Sequence, residues 1–342
     1  MMNINFNYNK ILFFLIMILS TIFSISSLSF INMWMGMEIN LMAFIPLMMN
    51  LNNNLSSESM MKYFLVQSLS SVNFLFASIM LIMFLNWYQK MKFMNMFILS
   101  ILNLSLLMKM GAAPFHFWFP KIMKGLNWMN CLILSTWQKI IPMISISYCF
   151  IIKLIILFSL TSTIMGSIMG LNQISLQIIF AYSSISHIGW MLMAIMLNMN
   201  FWNYYFLIYS LMNFILMYFF KKNKFFNLKQ IFSSKNFNFM NLFIFLNFLS
   251  LGGLPPFLGF LPKLMMIELM IENKFIIMTF MFVMFSLINL FFYLRISYSY
   301  FLINFYEMKF SRNQNKNNFF LNMLNFISLF GLILIYLMNF FN

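Results

Sequence analysis

Apolar stretches of about 20 residues, long enough to cross a lipid bilayer, follow one another along almost the whole chain. One of them, Phe275 to Leu294, contains no charged residue and no regular alternation of apolar and polar positions. A transmembrane β-barrel requires that alternation, so these stretches predict membrane-spanning helices. Charged residues make up only 7% of the chain, which excludes a sizeable water-soluble domain because such domains carry about 25%.

The apolar pattern therefore predicts an all-α polytopic membrane protein, with about eleven transmembrane helices in a single domain over residues 1–342. The predicted helices cover residues 10–26, 28–49, 60–86, 93–119, 128–147, 148–170, 174–197, 200–221, 239–272, 275–303 and 320–341.

Two of these helices are expected to be broken, because Gly and Pro occur together in GAAPFHFWFP (Gly111 to Pro120) and GGLPPFLGFLP (Gly252 to Pro262). Proline removes a backbone donor and clashes with the preceding turn. In a membrane the freed carbonyl groups need partners from protein or from water in a cavity. A kink that serves packing alone is the alternative explanation for both breaks.

The distribution of basic residues predicts the orientation. One side of the predicted membrane domain holds twelve of them: Lys10, Lys62, Lys121, Lys124, Lys221, Lys222, Lys224, Lys229, Lys235, Lys309, Arg312 and Lys316. The opposite side holds four: Lys90, Lys92, Lys153 and Lys274. By the positive-inside rule, the N-terminus faces the cytoplasm-equivalent compartment, and an odd number of helices places the C-terminus on the other side.

Several ionisable residues lie where an apolar span should have none. Glu38, Lys109, Lys139 and Lys263 fall inside predicted helices, and an unpaired charge at the bilayer centre costs at least about 2.5–3.5 kcal/mol. Such residues indicate a function by default. Lys109 directly precedes the first break and Lys263 follows the second, and a charge beside a discontinuous helix is typical of an ion path. Arg295 is nearer a helix end, from which its side chain can reach the interface.

The two histidines are candidate proton carriers. His187 lies in AYSSISHIGW and His116 in the first break. A neutral imidazole both donates and accepts a proton and titrates near neutral pH, although a buried histidine is often simply hydrogen-bonded. Two small residues, Gly166 and Gly170, form a GxxxG pattern that predicts close helix packing.

The composition limits what other patterns can mean. The chain has 48 Phe and 39 Met, and its abundant Phe, Ile, Met, Asn and Lys can all be written with A/T-rich codons. We interpret this as mutational bias in an A/T-rich, organellar gene. Stripes of Met or Phe, and Asn residues within spans, therefore carry little weight.

Recognisable cofactor motifs are missing from the sequence. There is no GxGxxG, no Walker lysine motif, no cysteine cluster suited to iron–sulfur and no histidine pair suited to haem. The two cysteines, Cys131 and Cys149, are expected to be buried free thiols. We expect no cofactor bound by this chain and no redox centre in it, so the energy for ion movement comes from a gradient or a partner.

Six segments together resemble a known family. MGMEINLMAFIPL, KYFLVQ, MGAAPFHFWFPKIMKGLNWMN, TWQKIIP, AYSSISHIGWM and NFLSLGGLPPFLGFLPK are similar to the antiporter-like membrane subunits of respiratory complex I, the mitochondrial NADH:ubiquinone oxidoreductase, and most like the insect chain 2 members. The resemblance implies a proton-pumping module in the membrane arm of that enzyme. It implies a charge pair of Glu38 and Lys109, a central relay at Lys139, a terminal lysine at Lys263 and a polar relay group at His187.

The resemblance also implies the surroundings of the chain. Its expected location is the mitochondrial inner membrane, with the N-terminus in the matrix and the C-terminus in the intermembrane space. Its expected partners are other membrane-arm subunits and phospholipids, and no nucleic acid. Two alternatives from the residues themselves stay open: an independent cation/proton antiporter, and an inert scaffold for a larger membrane complex. The central lysines argue against the scaffold, because inert spans gain nothing from them.

Overall fold

The structure is a computed structural model that describes residues 2–50, 53–87, 92–233 and 239–305, together with residues 326, 328 and 331. The chain divides into two compact units, Met1–Thr161 and Ser162–Asn342. The single domain over residues 1–342 stays a prediction.

The first unit is built from helices of unequal length. They are α1 (Met2–Ser26), α2 (Phe30–Met48), α3 (Asn54–Trp87), α4 (Lys92–Met110), α5 (Trp118–Gly125), α6 (Trp128–Ser135), α7 (Trp137–Tyr148) and the start of α8 (Ile152–Gly170). Helix α2 packs against α1 and α3, while α3 also packs against α4 and α5. Helix α7 contacts α1, α4 and α6.

The second unit contains the remaining helices of the described chain. They are α9 (Leu176–Leu197), α10 (Met199–Asn223), α11 (Leu228–Ser233), α12 (Phe239–Gly252), α13 (Phe260–Glu272) and α14 (Ile276–Phe305). Of the helices that are apolar enough to span a membrane, α9 is the most buried, because 89% of its most apolar 18-residue stretch is buried. It packs against α10 and α13, and α12 packs against α14.

The prediction of an all-α membrane protein is confirmed. Seven helices of the described residues are long and apolar enough to cross a membrane, in the segments Tyr8–Ser26, Phe30–Met48, Asn54–Met83, Ile152–Gly170, Leu176–Leu197, Met199–Asn223 and Ile276–Tyr298. The predicted helix at 320–341 lies almost entirely outside the described residues.

Both predicted breaks are present. The predicted helix at 93–119 is interrupted between Met110 and Trp118, and the one at 239–272 between Gly252 and Phe260. The predicted helix over 128–147 is present but divided at Thr136, with φ −117° and ψ −73°, into α6 and α7. Pro142 lies inside α7, six residues after Thr136, so it does not mark this interruption.

Close packing at the GxxxG pattern is also confirmed. A Cβ atom on Gly166 would lie 2.6 Å from the backbone nitrogen of Ser186, so α8 and α9 touch almost backbone to backbone there. Both cysteines are free thiols, as expected; Cys131 is buried and Cys149 is half-buried.

Candidate functional site

The first break places Lys109 in the last turn of a half-helix. Gly111 adopts a left-handed conformation with φ 74°, which glycine takes at little cost. The backbone N–H groups of Gly111 and Ala112 donate back into the last turn of α4 in the pattern of a Schellman motif. The backbone carbonyl of Lys109 is left over, and the side-chain amide of Gln67 donates to it at 3.1 Å. The helix end is thereby closed inside the protein.

The Lys109 side chain is buried in apolar and weakly polar surroundings. Only 7% of the residue is exposed. Its Nζ lies 3.3 Å from the sulfur of Met37 and 5.9 Å from the centre of the Phe74 ring. A ring face and a thioether stabilise an ammonium group less than a carboxylate does, so the protonation of Lys109 depends on charges farther away.

Glu38 supplies such a charge. It lies on α2 next to Met37, is half-buried, and its charge acts on Lys109 through space. Both side chains are in the described part of the chain, and they do not form a direct ion pair. The two charges that the sequence predicts as a pair therefore lie near each other, on either side of Met37, without a direct contact.

Lys139 is the most deeply buried of the four charged residues predicted inside spans. It is 1% exposed, and its Nζ lies 5.3 Å from the centre of the Phe119 ring. It stands in the first turn of α7, directly after the interruption at Thr136. Its backbone N–H donates to the Thr136 carbonyl at 3.1 Å, which starts the new helix.

Two small cavities lie beside these lysines. The Lys139 cavity has a volume of about 20 Å³ and is lined by both Lys109 and Lys139. The Asn40 cavity, also about 20 Å³, is lined by Lys109 and Asn40. A polar cavity of this size holds one water molecule. Four residues border both cavities: Tyr63, Gln67, Lys109 and Gln138.

The second break, in the other unit, has the same construction with a different closing group. Gly253, with φ 84°, and Leu254 donate their backbone N–H groups back into the last turn of α12, again as a Schellman motif. The carbonyls of Leu251 and Gly252 are left over. Lys263 Nζ donates to them at 3.3 and 2.7 Å. A buried cation thus lies at the negative end of the α12 dipole, where it is favourable.

His187 lies in the same unit, on the enclosed helix α9. Its Nδ1 is 2.8 Å from the hydroxyl oxygen of Tyr205, and its ring centre is 5.0 Å from that of Tyr209. A cavity of about 10 Å³ is bordered by His187, by both tyrosines and by Pro262, the residue before Lys263. His187 therefore has an ordered hydroxyl partner and is close to the second break.

Sequence reasoning missed several polar residues of the site. Asn40 and Gln138 exchange hydrogen bonds, Tyr63 and Gln67 line both cavities of the first unit, and Tyr205 contacts His187. Asn40 was discounted with the other Asn residues as a product of codon bias. The position of Gln138, directly before a lysine inside an apolar span, was an available signal.

The family model and the similar proteins all point to one family. Residues 27–289 match the family model described as NADH:quinone oxidoreductase/Mrp antiporter, transmembrane. The chain is 47% identical over 330 residues to NADH-ubiquinone oxidoreductase chain 2 of Anopheles gambiae, covering 95% of this chain and 96% of that one. It is 48% identical over 336 residues to the protein of the same name from Aedes aegypti, covering 95% and 96%.

A likeness in fold extends beyond these relatives. A chain in the structure of respiratory complex I from Thermus thermophilus aligns with a TM-score of 0.82 and 20% identity, covering 94% of this chain and 77% of that chain. A chain of an archaeal membrane-bound sulfane sulfur reductase aligns with a TM-score of 0.79 and 17% identity, covering 96% and 73%. At these identities the likeness concerns the fold alone.

Proposed function

The chain belongs to the NADH:quinone oxidoreductase/Mrp antiporter transmembrane family, and we propose that it works as the chain 2 subunit of NADH-ubiquinone oxidoreductase, respiratory complex I. In that role it is a core membrane-arm subunit of the inner mitochondrial membrane and translocates protons, while NADH oxidation and ubiquinone reduction take place elsewhere in the complex. The observation that carries the proposal is the Lys139 cavity, in which two buried lysines line a space of the size of a water molecule.

The charge of Glu38 provides the switch in this mechanism. Glu38 acts on Lys109 through space without a direct ion pair, so a small shift of α2 changes the interaction. A shift that brought the two charges to 4 Å would give an interaction of roughly 4 kcal/mol at an effective dielectric of 20. A change of that size is enough to alternate Lys109 between a proton-loaded and an empty state.

The proton then moves to Lys139 through water. A charged Lys109 has donors only, whereas a neutral Lys139 amine has a lone pair, so a water molecule in the shared cavity can accept from the first and donate to the second. We propose that Lys263 and His187 take part in the later steps. The Lys263 ammonium group donates hydrogen bonds to two backbone carbonyls, and His187 Nδ1 is hydrogen-bonded to a tyrosine hydroxyl. Both residues therefore already lie within hydrogen-bonding networks.

Several further expectations belong to this proposal. The partners are the other membrane-arm subunits and membrane phospholipids, with no role for nucleic acid, and the chain itself binds no cofactor.

The N-terminus lies in the matrix and the C-terminus in the intermembrane space, as the excess of basic residues on one side predicts. Labelling of single cysteines introduced at Lys124 and at Lys153 with a membrane-impermeant maleimide, in intact mitoplasts, tests the orientation. Reaction at position 153 and protection at position 124 support it, and the reverse pattern contradicts it.

Native electrophoresis of the source membranes tests membership of the complex. We expect this chain, identified by mass spectrometry, in the band that oxidises NADH in the gel. Migration as a small separate species would instead favour an independent cation/proton antiporter.

A lysine substitution tests the proton path. Lys109→Met keeps the length of the side chain and removes its proton site, so proton translocation coupled to NADH oxidation should be lost. The matched control is Lys153→Met, since Lys153 is an exposed lysine in the first turn of α8. Full coupled transport in the assembled Lys109→Met complex would overturn the mechanism while leaving membership of the complex intact.

A further inference from the structure

A pair of amide side chains joins two helices of the first unit. Asn40 Nδ2 donates to Gln138 Oε1 at 2.8 Å, and Gln138 Nε2 donates back to Asn40 Oδ1 at 3.3 Å. Asn40 lies on α2, two residues after Glu38, and Gln138 lies on α7, directly before Lys139. The pair therefore connects the helix that carries the carboxylate to the helix that carries the central lysine.

The Gln138 amide is fixed from more than one direction. Its Oε1 accepts a hydrogen bond from Asn40 and lies 3.4 Å from the hydroxyl of Tyr63. Its Nε2 also lies 3.5 Å from the sulfur of Met17 on α1. An amide held by groups from three other helices has one preferred orientation, so its oxygen and its nitrogen face defined directions.

Gln138 also lines both cavities of the first unit. It borders the Lys139 cavity and the Asn40 cavity, whereas Asn40 borders only the second. Within the Lys139 cavity, the side-chain oxygens come from Tyr63, Gln67 and Gln138. The two lysines contribute donors and no acceptor when charged. The water also needs a neutral acceptor to fix its orientation. The oxygen of the Tyr63 hydroxyl supplies one, because that hydroxyl lies in the cavity lining and donates its proton to Gln138 Oε1.

We propose that the Asn40–Gln138 pair orients the water that links Lys109 to Lys139, which makes Gln138 a positioning residue for proton transfer between the two lysines. The inference rests on the proposed function and adds a residue to its mechanism. The amide carries no proton itself. The proton passes from the Lys109 ammonium to water, and from water to a neutral Lys139, while the Tyr63 hydroxyl that Gln138 orients holds that water in a productive orientation.

The test uses the complete complex in proteoliposomes with NADH and a soluble ubiquinone analogue. Gln138→Met keeps the length of the side chain and removes both hydrogen-bonding groups. We expect coupled proton uptake to slow by about tenfold, which corresponds to ~1.4 kcal/mol on the barrier. We also expect a larger solvent deuterium isotope effect, because proton transfer becomes the slow step. The variant subunit should still be found in the NADH-oxidising band on native electrophoresis, which shows that the complex is assembled.

A second variant and a double variant separate positioning from mere stability. Asn40→Ala should reproduce the loss of coupled proton uptake. The double variant Asn40→Ala with Gln138→Met should be no worse than either change alone, because each single change already breaks the Asn40–Gln138 hydrogen bonds. Asn103→Leu is the matched control. Asn103 is a buried amide of the same unit that bonds to the carbonyls of Leu99 and Cys149 and lines neither cavity.

The outcomes divide clearly. An unchanged rate and isotope effect in assembled Gln138→Met complex, or an equal loss and equal isotope effect in Asn103→Leu, would overturn the inference. Lys109→Met is measured in parallel. Loss of pumping in Lys109→Met with normal Gln138→Met leaves the proposed function standing and removes only this inference, while normal pumping in Lys109→Met removes the proposed function itself.

Discussion

The ammonium group of Lys263 donates to the carbonyl oxygen of Gly252 at 2.7 Å, so a side chain of α13 closes the C-terminal end of α12. The two halves of the broken helix are thus joined by a buried charge as well as by the chain. Because the same group is a candidate proton carrier, its position is tied to the geometry of the break.

Gly253 should be essential to this contact. A Cβ atom there would lie 2.9 Å from Lys263 Cδ and 3.0 Å from its Nζ, on a residue with φ 84°. Gly253→Ala should therefore displace Lys263, lower coupled proton transport severalfold, and destabilise the subunit by about 1–2 kcal/mol from the left-handed backbone alone. Thermal unfolding and proton-pumping assays of the purified complex measure both effects.

Gly252→Ala is the matched control for that variant. A Cβ atom on Gly252 would meet Tyr293 at 3.4 Å, which is ordinary van der Waals contact. Transport in Gly252→Ala should stay close to that of the unsubstituted complex. Equal losses in the two variants would show that the region tolerates no added methyl group, and not that Lys263 is held by Gly253.

The charge of Glu38 can be removed without changing the size of the side chain. Glu38→Gln should lower coupled proton transport by roughly tenfold or more, since each 1.4 kcal/mol of lost electrostatic coupling is a factor of ten. Glu58→Gln is the control, because Glu58 is exposed and pairs with Lys62 on the surface of α3. Proton uptake by the two variants in proteoliposomes distinguishes them; a normal rate in Glu38→Gln contradicts the role of the carboxylate as the switch.

The hydroxyl of Tyr205 should matter for His187. It lies 2.8 Å from Nδ1 of the histidine, and Tyr205 is 1% exposed. Tyr205→Phe removes the hydroxyl alone and frees the tautomer of the imidazole, so coupled transport should fall by roughly 10²-fold if His187 is a proton carrier.

Tyr204→Phe serves as its control, since Tyr204 is 60% exposed on the same helix. The comparison is made on coupled NADH oxidation at saturating ubiquinone analogue. Identical turnover in the two variants would leave His187 as a buried, hydrogen-bonded residue of the core.

A larger side chain at Gly166 should destabilise the subunit. A Cβ atom would lie 2.6 Å from the backbone nitrogen of Ser186 and 2.8 Å from the Tyr182 carbonyl, neither of which moves without shifting a helix. Gly166→Val should cost about 1–3 kcal/mol through overpacking. Thermal unfolding measures this, with Gly170→Ala as the milder comparison because its Cβ would meet the Phe292 ring at 3.2 Å. An unchanged midpoint in Gly166→Val contradicts the close approach of α8 and α9.

The sequence by itself determined which parts of the chain are helical, where two of the breaks fall, and which charges lie inside spans. Apolar length is a local property, and so are the conformational effects of Gly111 and Gly253. A lysine such as Lys139 within an apolar run is visible from the sequence because its cost does not depend on its neighbours. These features could therefore be predicted without a structure.

Tertiary structure decided how those residues meet. Asn40 and Gln138 are 98 residues apart in sequence, and only the packing of α2 against the neighbouring helices brings their amides together. The same packing leaves Glu38 and Lys109 out of direct contact. In the second unit, the packing of α13 against α12 places Lys263 on the carbonyls of Leu251 and Gly252. Hydrogen bonds depend on distances of a few tenths of an ångström, which are fixed by the register of packed helices and not by any local pattern.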